Sequence, residues 1–226
     1  MSQPNPASNY HHGDLRNALI LAATELIEER GSIDFSMSEA ARRAGVSSGA
    51  PYRHFKDKEA LLVSVAELGF MGLQKAIEEA IAPLPLGSIE RIIASGHAYM
   101  RYVIDKHAFY DLMWGESLAD YHDRVWSTEQ TGDALTLSPS IQGFNQLVDL
   151  VQEWVNAEGL SISAREIAVK LLATGHGLVG LHISRRLHRL APGLCVYDCL
   201  TSSAYTFLNG VREQQGAQSL SPSPHI

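Results

Sequence analysis

The chain has 226 residues, of which 45% are hydrophobic and 19% charged, with a net charge of −7. That composition supplies enough apolar surface for a core and excludes wholesale disorder. The excess of 25 acidic over 18 basic residues excludes a generally basic nucleic-acid coat, while leaving room for a local basic patch. In chain order, residues 1–9 are Ser/Pro-rich, read as a disordered tail, and lack the apolar stretch of an export signal. Leu15, Ala18, Leu19, Ala22 and Leu26 then repeat at amphipathic-helix spacing, with Asp14 in the first turn and Gly31 placed to end the helix. Further helices are expected at about 37–44, 48–54 and 58–82, before Pro83 and Pro85 break the pattern. The spacing gives more helices at 88–105, 107–114, 139–158, 163–189 and 197–214, with a loop and one helical turn between Ala119 and Ser138. Residues 216–226 read as a second disordered tail. Without alternating β-branched runs between turn dipeptides, the expected fold is all-α. The longest charge-free apolar run noted, Leu171–Ser184, is shorter than the roughly 20 residues of a membrane span. A soluble cytoplasmic protein without membrane contact is expected.

The sharpest signal lies in residues 36–58, SMSEAARRAGVSSGAPYRHFKDK. Five cations (Arg42, Arg43, Arg53, Lys56, Lys58) stand there against Glu39 and Asp57, a net +3 in an otherwise acidic chain. Ser36 followed by Glu39 is a capping box, opening a short helix with small packing residues at Ala40, Ala41 and Ala44. Gly45 permits a left-handed turn, and Val46 re-enters the core. Helix, glycine turn and second helix make a helix-turn-helix, whose second helix enters the DNA major groove. Pro51 excludes Ser47 from that second helix, making Ser48 its expected N-cap. Ser48, Gly49 and Ala50 then form a small-residue nose that lets the backbone approach base edges. Tyr52, Arg53 and His54 offer groups to phosphates or bases, Phe55 is an apolar anchor, and the N–H groups of the next helix offer a further phosphate site.

Residues Asp14 to about Gln74 resemble the DNA-binding domain of the tetracycline-repressor (TetR) family. The carrying residues are Leu19-x-x-Ala22 and Gly31, Ala40-Ala41-x-x-Ala44-Gly45-Val46-Ser47, and Tyr52-x-His54-Phe55-x-x-Lys58-x-x-Leu61. The resemblance implies an all-helical homodimer with a three-helix DNA-binding head at 10–60, continuing into a connecting helix to about 82. A larger effector-binding and dimerisation domain at 83–215 would follow. It also implies phosphate contacts at Tyr52, His54 and Lys58, and base reading near Ser38, Ser47, Ser48 and Gly49; Ser36 is a further DNA-binding candidate. Many relatives carry a long or basic residue where this chain has Ser48, so base hydrogen bonding there should be weaker. NYHHGDLR at 9–16, SSGAPYRHF at 47–55, FYDLMWG at 109–115 and the pair His176-Gly177 resemble the subgroup whose C-terminal domain is called WHG.

In the body, Met100, Phe109, Tyr110, Met113, Trp114, Phe144 and His176 are candidates for one effector cavity, although residues of these types are often simply core. Gly175, Gly177 and Gly180 within one helix suggest close helix approach or a kink; the alternative is that the helix is interrupted. The last helix carries a stripe at Leu200, Ala204, Phe207, Leu208 and Val211. With the pairing of the last two helices that the resemblance implies, the expected dimer interface is Gly177, Leu181, Leu200, Ala204, Phe207 and Val211. Arg185, Arg186 and Arg189 suit a helix C-terminus, with an anionic ligand or partner as the lesser alternative. Cys195 and Cys199 read as buried small side chains, and Asp120, His122 and Asp123 as a solvated loop without metal-site spacing.

No hydrolase, Walker, zinc-protease or dinucleotide motif is present, so no enzyme, metal or cofactor is expected. The expected function is that of a ligand-responsive DNA-binding transcriptional regulator. It would most often be a repressor on a palindromic operator, with double-stranded DNA, a second copy and a small effector as partners. The alternative is a helical dimeric adaptor that contacts only proteins.

Overall fold

The computed structural model of the chain describes residues 12–121 and 138–219. The expected tail at 1–9, the tail residues 220–226, and His122 and Asp123 lie outside the described residues. The described residues contain no β-strand, and the all-α expectation holds. The helices are α1 (His12–Arg30), α2 (Met37–Arg43), α3 (Lys58–Ile81), α4 (Ile89–Asp105), α5 (His107–Trp114), α6 (Pro139–Ala157), α7 (Ala164–Ile183), α8 (Arg186–Leu190) and α9 (Val196–Ser219), with a 3-10 turn at Pro51–Arg53. The last helix therefore extends four residues into the segment read as a tail. The chain divides into two compact units, Met1–Gly69 with Ala108–Arg124, and Phe70–His107 with Val125–Ile226.

In the first unit, the apolar stripe of α1 is realised at Leu19, Ala22, Ala23, Leu26 and Ile27, all buried. They join Phe35, Ala40, Ala41, Phe55, Leu61, Val65 and Ala66 in the head core. Gly31 ends α1 with φ +64°, as the sequence indicated. Deeper in the unit, a Cβ at Gly69 of α3 would lie 3.0 Å from Met113 Sδ of α5, so the missing side chain lets these helices approach.

In the second unit, Trp154, Val151 and Val155 of α6 meet Ile92 of α4, Ile167 and Ala168 of α7, and Leu208 and Val211 of α9. The turn before α4 fits against α6 only without a side chain. Gly87 has φ +70°, and a Cβ there would sit 2.8 Å from Ala157 Cβ. Arg91 closes the end of α3 by donating from Nη1 to the carbonyls of Ile81 (3.0 Å), the last residue of the helix, and Leu84 (3.2 Å) just beyond it. Helix α3 is long and apolar enough to cross a membrane, but half of its most apolar window is buried inside the protein, as in a core helix.

Two expectations about the helices are corrected. The predicted helix 163–189 runs unbroken through its three glycines and stops at Ile183. Arg185 adopts a left-handed φ of 57° and closes α7, after which Leu187 turns inward and is buried. A non-glycine residue in that conformation costs about 1–2 kcal/mol, which the burial of Leu187 helps to offset. The predicted helix 48–54 is only the 3-10 turn at 51–53.

Candidate nucleic-acid interface

The interface is built on α2. The Ser36 backbone N–H donates to Glu39 Oε2 at 2.8 Å, and the Glu39 N–H donates to Ser36 Oγ at 3.2 Å, completing the predicted capping box. Arg30 of α1 also reaches Glu39. These hydrogen bonds, led by the one from Arg30, lower the Glu39 pKa from 4.5 to about 2. At the other end, Gly45 has φ +73°. Its N–H donates to Arg42 O at 3.1 Å, and the Val46 N–H reaches back to Ala41 O at 2.9 Å. This pair of bonds satisfies the Ala41 and Arg42 carbonyls near the end of α2 and turns the chain sharply, a conformation that glycine enters without a Cβ penalty.

Beyond the turn the chain winds tightly. The Ala50 N–H donates to Ser47 O, Arg53 to Ala50 O, and His54 and Phe55 to Pro51 O. Ser48 is not an N-cap; Ala50 holds that position without a side-chain bond. The reason is Pro51, whose missing N–H removes the bond that would make Ser47–Phe55 an α-helix, while Phe55 must be buried four residues later. Pro51, Phe55 and Ala50 turn inward, so Ala50 is unavailable to a base edge. Ser47, Ser48, Gly49, Tyr52 and Arg53 remain exposed, Tyr52 at 59%. Ser38 is exposed on α2, and His54 is half-buried.

Charge counting overstated the basic character of this surface. Arg43 is held protonated and engaged by Glu29, with Glu25 as second partner. Lys58, expected on a phosphate, donates from Nζ to Ile33 O at 2.7 Å and lies 4.7 Å from the centre of the Phe35 ring. Ser36 is likewise committed to its capping box. Asp57 caps α3 by accepting from the Ala60 N–H at 2.9 Å, so a carboxylate occupies the expected phosphate site. Arg42, Arg53 and Lys56 stay exposed, with no ion pair among the described residues.

The effector candidates fall in both units. Phe109, Tyr110, Met113 and Trp114 belong to the first, where Phe109 and Met113 are buried and the Tyr110 and Trp114 rings lie 5.7 Å apart. Burial raises the Tyr110 pKa. Met100, Phe144 and His176 belong to the second. Met100 is fully buried, and Phe144 packs on the core beneath Arg165. His176 Nδ1 is 2.6 Å from Tyr99 Oη, and burial lowers the His176 pKa from 6.5. Tyr99 was not singled out in the sequence; only its place on α4 opposite α7 reveals it.

The expected dimer residues divide sharply. Leu200, Ala204 and Val211 are filled into the protomer's own core and cannot form a seam. A Cβ at Gly96 of α4 would lie 2.9 Å from Leu200 Cδ2, so Leu200 seats against α4. Phe207 is half-buried against the same core. Gly177 is exposed with nothing within 4 Å of its would-be Cβ, and Leu181 is half-buried. Cys195, expected to be buried, is exposed just ahead of α9. Among the described residues no His/Cys/Asp/Glu cluster is placed to hold a metal.

Residues 19–65 match the family described as bacterial regulatory proteins, tetR family. Over 76 residues the chain is 40% identical to the HTH-type transcriptional regulator BetI of Escherichia coli O127:H6, covering 34% of this chain and 39% of BetI. The chain thus spans less than half the length of that curated relative. A solved structure of a protein of unknown function from Rhodococcus sp. RHA1 has a TM-score of 0.69 and 29% identity, covering 91% of this chain and 99% of that one. The transcriptional regulator FadR from Bacillus subtilis, solved in complex with stearoyl-CoA, has a TM-score of 0.58 and 19% identity, covering 86% of this chain and 98% of FadR.

Proposed function

We propose that this chain, a member of the tetR family of bacterial regulatory proteins, is a ligand-responsive transcriptional repressor. It binds a palindromic operator as a homodimer and releases it when a small, largely apolar effector binds. It acts in the cytoplasm, where its partners are operator DNA, a second copy and the effector. The observation that carries this reading is the exposed nose Ser47–Gly49 with Tyr52 and Arg53, on a turn anchored by buried Ala50, Pro51 and Phe55. Small residues there admit the backbone to a groove, and the hydroxyl and guanidinium suit phosphate or base edges.

The homodimer reading now rests on the outer face of α7. Val169, Ala173, Gly177 and Leu181 recur every four residues; the first three are exposed and Leu181 is half-buried. Such a row is a ridge that another helix can meet at close range. The effector takes its polar contact from the Tyr99–His176 pair or from the Tyr110 and Trp114 rings. The FadR relative was solved with stearoyl-CoA, so long-chain acyl compounds are the first class to screen.

The test is titration against genomic DNA fragments at two salt concentrations. The proposal requires a subset of fragments to bind specifically, with affinity falling steeply as salt rises. Uniform weak binding to all fragments refutes it.

A further inference from the structure

The recognition turn is too short to hold its own shape. Its hydrogen bonds span three or four residues, and an isolated turn of that length is marginal in water. Something outside the turn must fix the direction in which Tyr52 and Arg53 point. Burial of Pro51 and Phe55 holds its base. A second support comes from α1, far away in sequence. The guanidinium carbon of Arg16 lies 5.3 Å from the centre of the Phe55 ring. Arg16 Nη2 also donates to Ser64 Oγ of α3 at 2.7 Å. Ser64 is itself buried, and its hydroxyl donates on to Ala60 O at 3.4 Å. One side chain therefore ties the end of the recognition turn to two helices. A planar guanidinium suits this position, since it lies over a ring face while its fork donates sideways.

We propose that Arg16 is a positioning residue for DNA recognition, acting on the operator through Phe55 and not by touching phosphate. The inference rests on the DNA-binding reading above. It separates Arg16 from Arg53, which a charge count treats alike. Loss of the brace lets the turn sample other directions, so the fraction of protein ready to read bases falls. Arg16 is itself exposed, but its guanidinium is committed to Ser64 and Phe55, so non-specific attraction to DNA, which depends on cations turned to phosphate, stays as it was.

The probe is a duplex selected from a random-sequence pool by the wild-type protein, compared with a shuffled duplex of equal length. Arg16→Met keeps apolar reach over the ring but removes the charge and the donors. It is expected to weaken binding to the selected duplex about three- to tenfold, the scale of one cation–ring contact and one hydrogen bond. Affinity for the shuffled duplex and the log–log salt slope should not change. Ser64→Ala removes only the anchor and should give a smaller loss of the same kind, so the inference stays testable if Arg16→Met folds poorly. Phe55→Leu combined with Arg16→Met should lose no more than Phe55→Leu alone. A salt slope reduced by about 0.9 per head in Arg16→Met makes Arg16 a phosphate ligand and overturns the inference. Equal losses on both duplexes reduce its role to stability and overturn it as well. A wild type that selects no sequence overturns the DNA-binding reading itself, whereas selection with an unchanged ratio in both variants overturns only the role of Arg16.

Discussion

Lys58 and Arg53 are separated by what they already touch. Lys58 spends its ammonium group on Ile33 O and the Phe35 ring, and Arg53 is exposed. Lys58→Met removes one charge-assisted hydrogen bond and one cation–ring contact in a half-buried setting, together worth about 1–2 kcal/mol. With a urea dependence of about 2 kcal/mol/M, the unfolding midpoint should fall by roughly half to one molar. The salt slope of DNA binding should not change, because no phosphate contact is lost. Arg53→Ala should do the reverse. Its midpoint should stay within the small range expected of surface substitutions. The slope should drop by about 0.9 for each phosphate lost, hence about 1.8 in a dimer that uses both heads. The assays are urea unfolding followed by circular dichroism, and fluorescence anisotropy against one duplex at four or more salt concentrations. If Lys58→Met cuts the slope by that amount and leaves the midpoint in place, the lysine leaves Ile33 for the backbone of DNA, and the inference from its contacts is wrong.

Three further outcomes are expected. Glu39 has a folded pKa near 2 against an ordinary 4.5, so its contribution is complete above pH 4.5 and is lost as pH falls toward 2; Glu39→Gln should flatten that acid limb in pH-dependent thermal unfolding. Gly177→Leu should yield monomers by sedimentation with an unchanged circular dichroism spectrum, since nothing in the protomer lies within 4 Å of the added Cβ; a persistent dimer would place the seam elsewhere. Burial lowers the His176 pKa below 6.5, so the unfolded chain takes up the proton more readily and stability should fall as pH drops through 6.5. His176→Phe should reduce that dependence, and an unaltered pH profile would show that His176 does not contribute to it.

The parts of the fold legible in the sequence are those with local causes. Ser36, Glu39 and Gly45 carry α2 and its exit within ten residues, and each makes the bonds its chemistry suggests. Pro51 correctly excluded Ser47 from the following helix. Excluding one residue does not, however, establish an α-helix in the remainder. With Ser48 and Gly49 as weak helix formers and Phe55 required in the core, only a tight turn fits between them. The end of α7 was illegible for the opposite reason. Arg185 takes up a left-handed conformation that glycine would have advertised.

The site was less legible because its determinants are pairings over long sequence distances. Periodicity marked Leu200, Ala204 and Val211 as an apolar stripe, yet a stripe does not say whether its partner is the same chain or another. The deciding residue is Gly96, more than a hundred positions earlier, whose missing side chain admits Leu200 to α4. The net charge of residues 36–58 misleads in the same way. Glu25 and Glu29 lie before the segment and engage Arg43, and Phe35 and Ile33, also before it, engage Lys58. What remains to face a polyanion is Arg42, Arg53 and Lys56. If the protein binds an operator as the proposed dimer, three cations in each of two heads would set a salt slope of about −5. A contact of that strength holds the protein near DNA without choosing a sequence. On the proposed reading, the choice would then fall to the direction of a three-residue turn, and so to the aromatic and cationic side chains that keep the turn in place.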